Sequence, residues 1–193
     1  MDPMTMFCFI FCWLSTGSTW AQEPTSLRTQ VERNNLSWPP PDLRIEIDKS
    51  DRQMKLFSNQ TLLRTYPVAL GFSPDGDKAV EGDGRTPLGV FRIVTRNPHS
   101  AYYRFMGLSY PTSEDAARGL KDGLITPAQA RAIREAEQDG RQPPWNTNLG
   151  GAIGLHGRGS RGDWTLGCIA VEDAHMRELW EIGRLGLEVK IQE

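Results

Sequence analysis

Apolar and polar residues alternate over Leu43-Arg-Ile-Glu-Ile47 and again over Gln53-Met-Lys-Leu-Phe57, with the polar run Asp48–Arg52 between them. A period of two marks a half-buried strand, and a short polar spacer between two such runs marks a hairpin. A third run, Leu63–Gly71, puts Tyr66, Val68 and Leu70 on one side and follows the turn-like Ser58-Asn-Gln60. These three runs predict a meander at the start of the folded domain. Val90–Val94 and Leu187–Ile191 return to strand character, and Gly151–His156 and Cys168–Val171 are shorter apolar runs of the same kind.

Between Tyr110 and Pro144 the pattern becomes helical. Thr126 is followed by Pro127 and Gln129, which supplies an N-cap, a proline at the first helical position and a reciprocal partner three residues on; Gly140 ends the helix. Its apolar face, Ala132, Ile133 and Ala136, is narrow, so the helix is expected over a sheet edge or cleft, as an insertion beside the site. Glu172–Gly183 presents Met176, Leu179 and Trp180 and predicts a helix before the last strand. The fold class expected is mostly β, of the α+β kind. A length of 193 residues fits one such domain with a tail.

The tail divides in two. Met4–Leu14 is apolar but short for a bilayer, and Ser15–Ala21 is made mainly of small residues, with Thr19 and Ala21 where a signal peptidase reads. Residues 1–21 are therefore expected to be a signal peptide cut after Ala21, or an uncleaved anchor, since no Lys or Arg precedes the apolar run; a buried helix is the remaining alternative. The expected location is periplasmic or cell-envelope, with membrane contact only if the segment is retained. Residues 22–41 end in Trp38-Pro-Pro-Pro41 and read as an extended linker, leaving 42–193 as the domain.

A net charge of -2 provides no footprint for a nucleic acid. Of three cysteines, Cys8 and Cys12 fall in the segment expected to be removed, so Cys168 is left without a disulfide partner. It closes a loop of Gly and polar residues, 157–167, that starts at His156. A loop joining two strand ends can bring imidazole and thiol together, and such a charged pair holds a thiolate at neutral pH. Gly157 and Gly167, flanking the two residues, permit close backbone approach and amides aimed at an oxyanion. The alternative is a small buried cysteine beside a satisfied core histidine. Zinc would need further Cys or His at paired spacing, which the chain lacks, so no metal or cofactor is expected.

Thr86-Pro-Leu-Gly-Val-Phe-Arg-Ile93, Ile153-Gly-Leu-His-Gly157 and Thr165-Leu-Gly-Cys-Ile169, in that order, resemble the catalytic domain of YkuD-type L,D-transpeptidases over about Leu43–Ile191. The resemblance implies an L,D-transpeptidase-like β-sandwich or barrel with a helical insertion and a C-terminal helix and strand. It also implies that Cys168 attacks the carbonyl of the third-position diamino acid of a peptidoglycan stem, expels D-alanine with His156 moving the proton, and passes the acyl group to a second stem's amine. The family's usual Ser-His-Gly-Cys followed by a basic residue is here Thr165-Leu-Gly-Cys168 followed by Ile169-Ala170. The form Asp163–Ala170, with Leu108-Ser-Tyr-Pro111 upstream, is more similar to a branch that includes an amidase releasing a wall-attached lipoprotein, with water as acceptor.

Secondary candidates each have two readings. Asp163 either orients His156 or caps loop amides, and Thr165 either bonds near the thiolate or satisfies the loop backbone. Trp164 lines a stem-peptide groove or anchors the core. Tyr110 and Arg85 either bind a donor carboxylate or are surface loop residues. His99 and His175 are read as bystanders, His175 on the solvated side of its helix. A non-catalytic wall-binding module would account for the strands and aromatics but not for the pairing of His-Gly with Gly-Cys.

Overall fold

The computed structural model describes residues 25–193. The expected export segment, residues 1–21 with Cys8 and Cys12, lies outside the described residues. In chain order the first half holds α1 (Leu27–Arg33), β1 (Leu43–Asp48), β2 (Gln53–Ser58), β3 (Thr61–Pro67), β4 (Gly89–Asn97) and β5 (Phe105–Leu108). Then follow α2 (Ser113–Lys121), α3 (Pro127–Gln138), β6 (Gly154–His156), β7 (Ile169–Ala170), α4 (Asp173–Ile182) and β8 (Glu188–Gln192).

All eight strands join one sheet in the order β3-β2-β1-β8-β4-β5-β6-β7. The predicted meander is present: Ile45 pairs with Leu56 and Lys55 with Thr65, both antiparallel. Alternation buries Leu43, Ile45 and Ile47 of β1 with Met54 and Leu56 of β2 on one face. β8 returns parallel to β1 and antiparallel to β4. Past β3 the chain crosses to the far edge, where Ala69 bridges Ala170 and Gly71 bridges Thr165. The predicted third strand, Leu63–Gly71, is thus shared between two edges, and the sheet curls shut on itself. The fold is α+β and mostly strand, as expected.

Within the predicted linker 22–41, the described residues 25–41 are not simply extended. Ser26 accepts from the Thr29 amide and starts α1, and Leu27 and Val31, four residues apart on one helix face, are buried in the main core. Burying those two side chains stabilises the helix by about 1.5–3 kcal/mol each, which outweighs the polar composition around them.

The helical insertion is a pair. Thr112 with Asp115 and Thr126 with Gln129 form capping boxes at the starts of α2 and α3. The two helices enclose a small second core of Ala116, Ile125, Ala130, Ile133 and Leu149. Leu149 is seated against Gly119, where a Cβ would lie 2.7 Å from the leucine. The insertion therefore clamps the segment that leads into β6.

Candidate active site

His156 ends β6, and Cys168 immediately precedes β7. The two strands are parallel, with Leu155 opposite Ile169 and His156 opposite Ala170. One step back, the same register puts Cys168 beside Gly154, so His156 and Cys168 point to one face as diagonal neighbours. Their Cα atoms are then about 7–8 Å apart, a gap an imidazole spans. Both side chains line one cavity of about 410 Å³. The Cys168 Sγ is 3.4 Å from the Ala152 carbonyl, to which it donates.

His156 Nδ1 lies 2.7 Å from the Gly157 carbonyl oxygen. A carbonyl only accepts, so the proton sits on Nδ1 and the lone pair of Nε2 is left for the cavity. Burial lowers the imidazole's pKa, offset in part by that hydrogen bond. Burial also pushes the Cys168 thiol up to about 11, against the opposing pulls of the Gly154 backbone and the Lys78 ammonium. Desolvation disfavours both charges, which runs against a standing thiolate and imidazolium and favours the neutral forms.

The loop from Gly157 to Gly167 is held by its own side chains. Thr165 Oγ1 accepts from the Gly167 amide at 3.1 Å and donates to the Cys168 carbonyl at 2.8 Å, so of its two readings the structure shows the backbone one. Gly167 has φ +128°, and a Cβ there would lie 2.6 Å from the Arg85 carbonyl oxygen. Only glycine meets both demands. At Gly157 a Cβ would collide with Asp173. Among the described residues the Cys168 amide has no backbone acceptor, which leaves that N–H free for a ligand.

Asp163 does not reach His156. Its carboxylate takes Arg52 Nη2 at 2.8 Å and Nε at 3.0 Å, and accepts from the Leu70 amide at 2.9 Å, pinning the loop to the β1–β2 turn and to the closing edge. Trp164 does line the cavity; it is 39% exposed, and its ring centroid is 5.6 Å from that of His156. Its indole N–H donates to the Gly159 carbonyl.

Two expected binders are displaced from the cavity. Tyr110 is fully buried, with its hydroxyl donating 2.9 Å to the Leu149 carbonyl and its ring edge-on to Phe91. It is a core residue because the insertion closes over it. Arg85 sends its guanidinium to the Asp77 carbonyl and contributes only its own backbone, behind Gly167. His175 is half-buried rather than on a fully solvated face: it packs 5.2 Å from the Tyr66 ring, and its Nδ1 is buried with no partner among the described residues. His99 sits in an exposed turn, away from the cavity.

Of the remaining walls, Tyr102 and Phe105 carried no signal in the sequence. Tyr102, Phe105, Ile153 and Leu166 line the cavity, and Leu166 is 73% exposed at its rim. Behind it, buried Lys78 is 2.8 Å from Asp83 Oδ1. Burial alone would raise the Asp83 carboxyl, but bonds from Lys78 and from the amides of Arg85, Ala79 and Val80 outweigh it and hold the group at about 2. The loop so tied presents the Arg85 carbonyl to Gly167, and Lys78 packs beneath Gly150, two residues before the carbonyl that receives the Cys168 thiol. The Lys-Asp spacing and the Gly-rich run after it were the available signals.

A family model of the YkuD L,D-transpeptidase catalytic domain matches residues 42–191. No curated protein matches the chain. Among solved structures, the helical cell shape determining protein Pgp2 of Campylobacter jejuni is 22% identical with a TM-score of 0.52, over 78% of this chain and 47% of that one. Bd1075 of Bdellovibrio bacteriovorus is 18% identical with a TM-score of 0.52, over 79% of this chain and 48% of that one. The chain spans about half the length of these two relatives, and at such identities the likeness is one of fold.

Proposed function

Because the chain belongs to the YkuD family of L,D-transpeptidase catalytic domains, we propose that Cys168 is its nucleophile, His156 its general base, and a peptidoglycan stem peptide its acyl donor. The observation that carries this is the single cavity in which a free thiol lies beside an imidazole whose Nδ1 is already committed to a carbonyl. Nε2 takes the thiol proton as Sγ attacks the carbonyl of the third-position diamino acid. The oxyanion of the tetrahedral intermediate is met by the Cys168 N–H. As the C–N bond breaks, the imidazolium returns its proton to the nitrogen of departing D-alanine, leaving a thioester. An amine of a second stem then attacks the thioester, His156 takes the amine's proton, and the thiol is restored.

A second reading keeps the acyl-enzyme and changes the acceptor to water. Leu166 and Ala170 favour it: one is an apolar side chain at the cavity rim and the other is fully buried, where the family's usual pattern has a His and a basic residue. The protein would then cut stem-peptide bonds or release a wall-attached lipoprotein. Export to the cell envelope, with residues 1–21 as the address, is part of both readings.

Purified protein incubated with tetrapeptide-bearing muropeptides tests the proposal. Release of D-alanine with new 3-3 cross-links is the expected outcome, and release of acyl groups to water supports the second reading. Cys168→Ala should abolish both while leaving the fold intact; turnover by that variant near the unsubstituted rate would end the proposal.

A further inference from the structure

Tyr102 is 50% exposed, yet its ring centroid is only 5.0 Å from the His156 imidazole and 6.1 Å from the Trp164 indole. With Trp164 5.6 Å from the imidazole on another side, the histidine is flanked by two aromatic rings. We propose that Tyr102 is a positioning residue for His156, its ring fixing the tilt of the imidazole and keeping water from it. The inference rests on His156 as the base of Cys168.

The backbone beneath Tyr102 is built for this placement. Tyr103 and Arg104 follow it with φ of +53° and +57°, a left-handed pair in bulky residues that costs on the order of 1–2 kcal/mol each. Such a turn persists only where its surroundings hold it. Here the Tyr102 amide donates to Ser100 Oγ at 3.1 Å, the Gly157 amide to the Tyr103 carbonyl at 3.2 Å, and Arg158 Nε to the Ala101 carbonyl at 3.1 Å. The last two tie the turn to the residues directly after His156. A ring half in solvent gains little by burial, so the strain is maintained for a contact, and the contact is with the imidazole.

The charged groups around this corner are spoken for. Arg158 also donates its amide to Asp173, which abuts Gly157 from the start of α4, and Arg177 of the same helix faces Tyr103. None of them sets the protonation of His156, which follows burial and the Gly157 carbonyl. Removing the Tyr102 ring admits water to the imidazole and weakens the first of these.

The test is an NMR titration of the His156 ring in the unsubstituted protein, Tyr102→Ala and Tyr102→Phe, run without substrate, so that it stands apart from the choice of acyl donor or acceptor. Tyr102→Ala should titrate higher, toward the ordinary histidine value of about 6.5, and Tyr102→Phe should titrate as the unsubstituted protein does. An upward shift lowers the neutral fraction at pH 6 and barely changes it at pH 8, which lies well above the histidine range. Turnover by Tyr102→Ala should therefore fall more at pH 6 than at pH 8. An unmoved titration in Tyr102→Ala, or an equal shift in Tyr102→Phe, would overturn the proposal.

Discussion

Changing pH separates the two ways in which a cysteine and a histidine can cooperate. Burial holds the Cys168 thiol at about 11 and the His156 imidazole below its ordinary range. Four pH units below its pKa a thiol is ionised to about one part in ten thousand. A reagent such as iodoacetamide, which takes the thiolate alone, should label Cys168 slowly at pH 7 and about tenfold faster with each unit up to about pH 10. Turnover should not follow that curve. A general base removes the proton during attack, so kcat/KM should rise only up to the pKa of His156, below 6.5, and then level. His156→Ala should cut turnover by about 10²–10⁴-fold while leaving labelling at pH 9 within about a factor of two. Both rates are read on the same samples, labelling from the mass of the Cys168 peptide and turnover from released D-alanine. A labelling rate that plateaus between pH 5 and 8 is the signature of a standing ion pair and would rule out a thiol kept neutral by desolvation.

Lys78→Met removes one partner of a buried pair, a change that destabilises by about 3–5 kcal/mol; the lower end is expected because three backbone amides still serve Asp83. Urea unfolding measures it, and a loss below about 1 kcal/mol would show that the pair does not brace the loop. With its folded pKa at about 2 against an ordinary value of 3.8, Asp83 contributes stability that is full above pH 4 or so and lost as pH falls through about 2. Asp83→Asn should flatten the dependence of Tm on pH in that window, and an unchanged slope would contradict the assignment. Gly167→Ala should disable the site, because its Cβ meets the Arg85 carbonyl, whereas Gly162→Ala has open space and bears only the strain of its φ of +67°, on the order of 1 kcal/mol. Equal effects of the two on turnover would argue against a rigid backbone behind Cys168.

Periodicity made most of the sheet legible, because β1, β2, β4 and β8 each bury alternate residues against one core. It failed where the signal was short or masked. β5 is four residues long and contains Gly107, whose missing side chain makes room for Thr95 and Trp145. α1 was hidden by the prolines after it, although Ser26, Leu27 and Val31 carry its cap and its buried stripe. At the site, His156 and Cys168 could be joined because one loop connects them. Asp163 pairs with Arg52, 111 residues away, and Tyr102 reaches His156 across the sheet from another turn. Such contacts leave no trace in local pattern. Tyr110 looked available from its neighbours in sequence and is buried by an insertion that packs over it. The protonation of the central pair was equally invisible, since burial is a property of the folded chain.

The proposed chemistry depends on Cys168 being an accessible acylating thiol. Incubation of the intact protein with a carbapenem, followed by mass spectrometry of the whole chain and its peptides, examines that directly. One covalent adduct is expected, carried by Cys168 and absent from Cys168→Ala. A protein left unmodified, or modified at another residue, would contradict it.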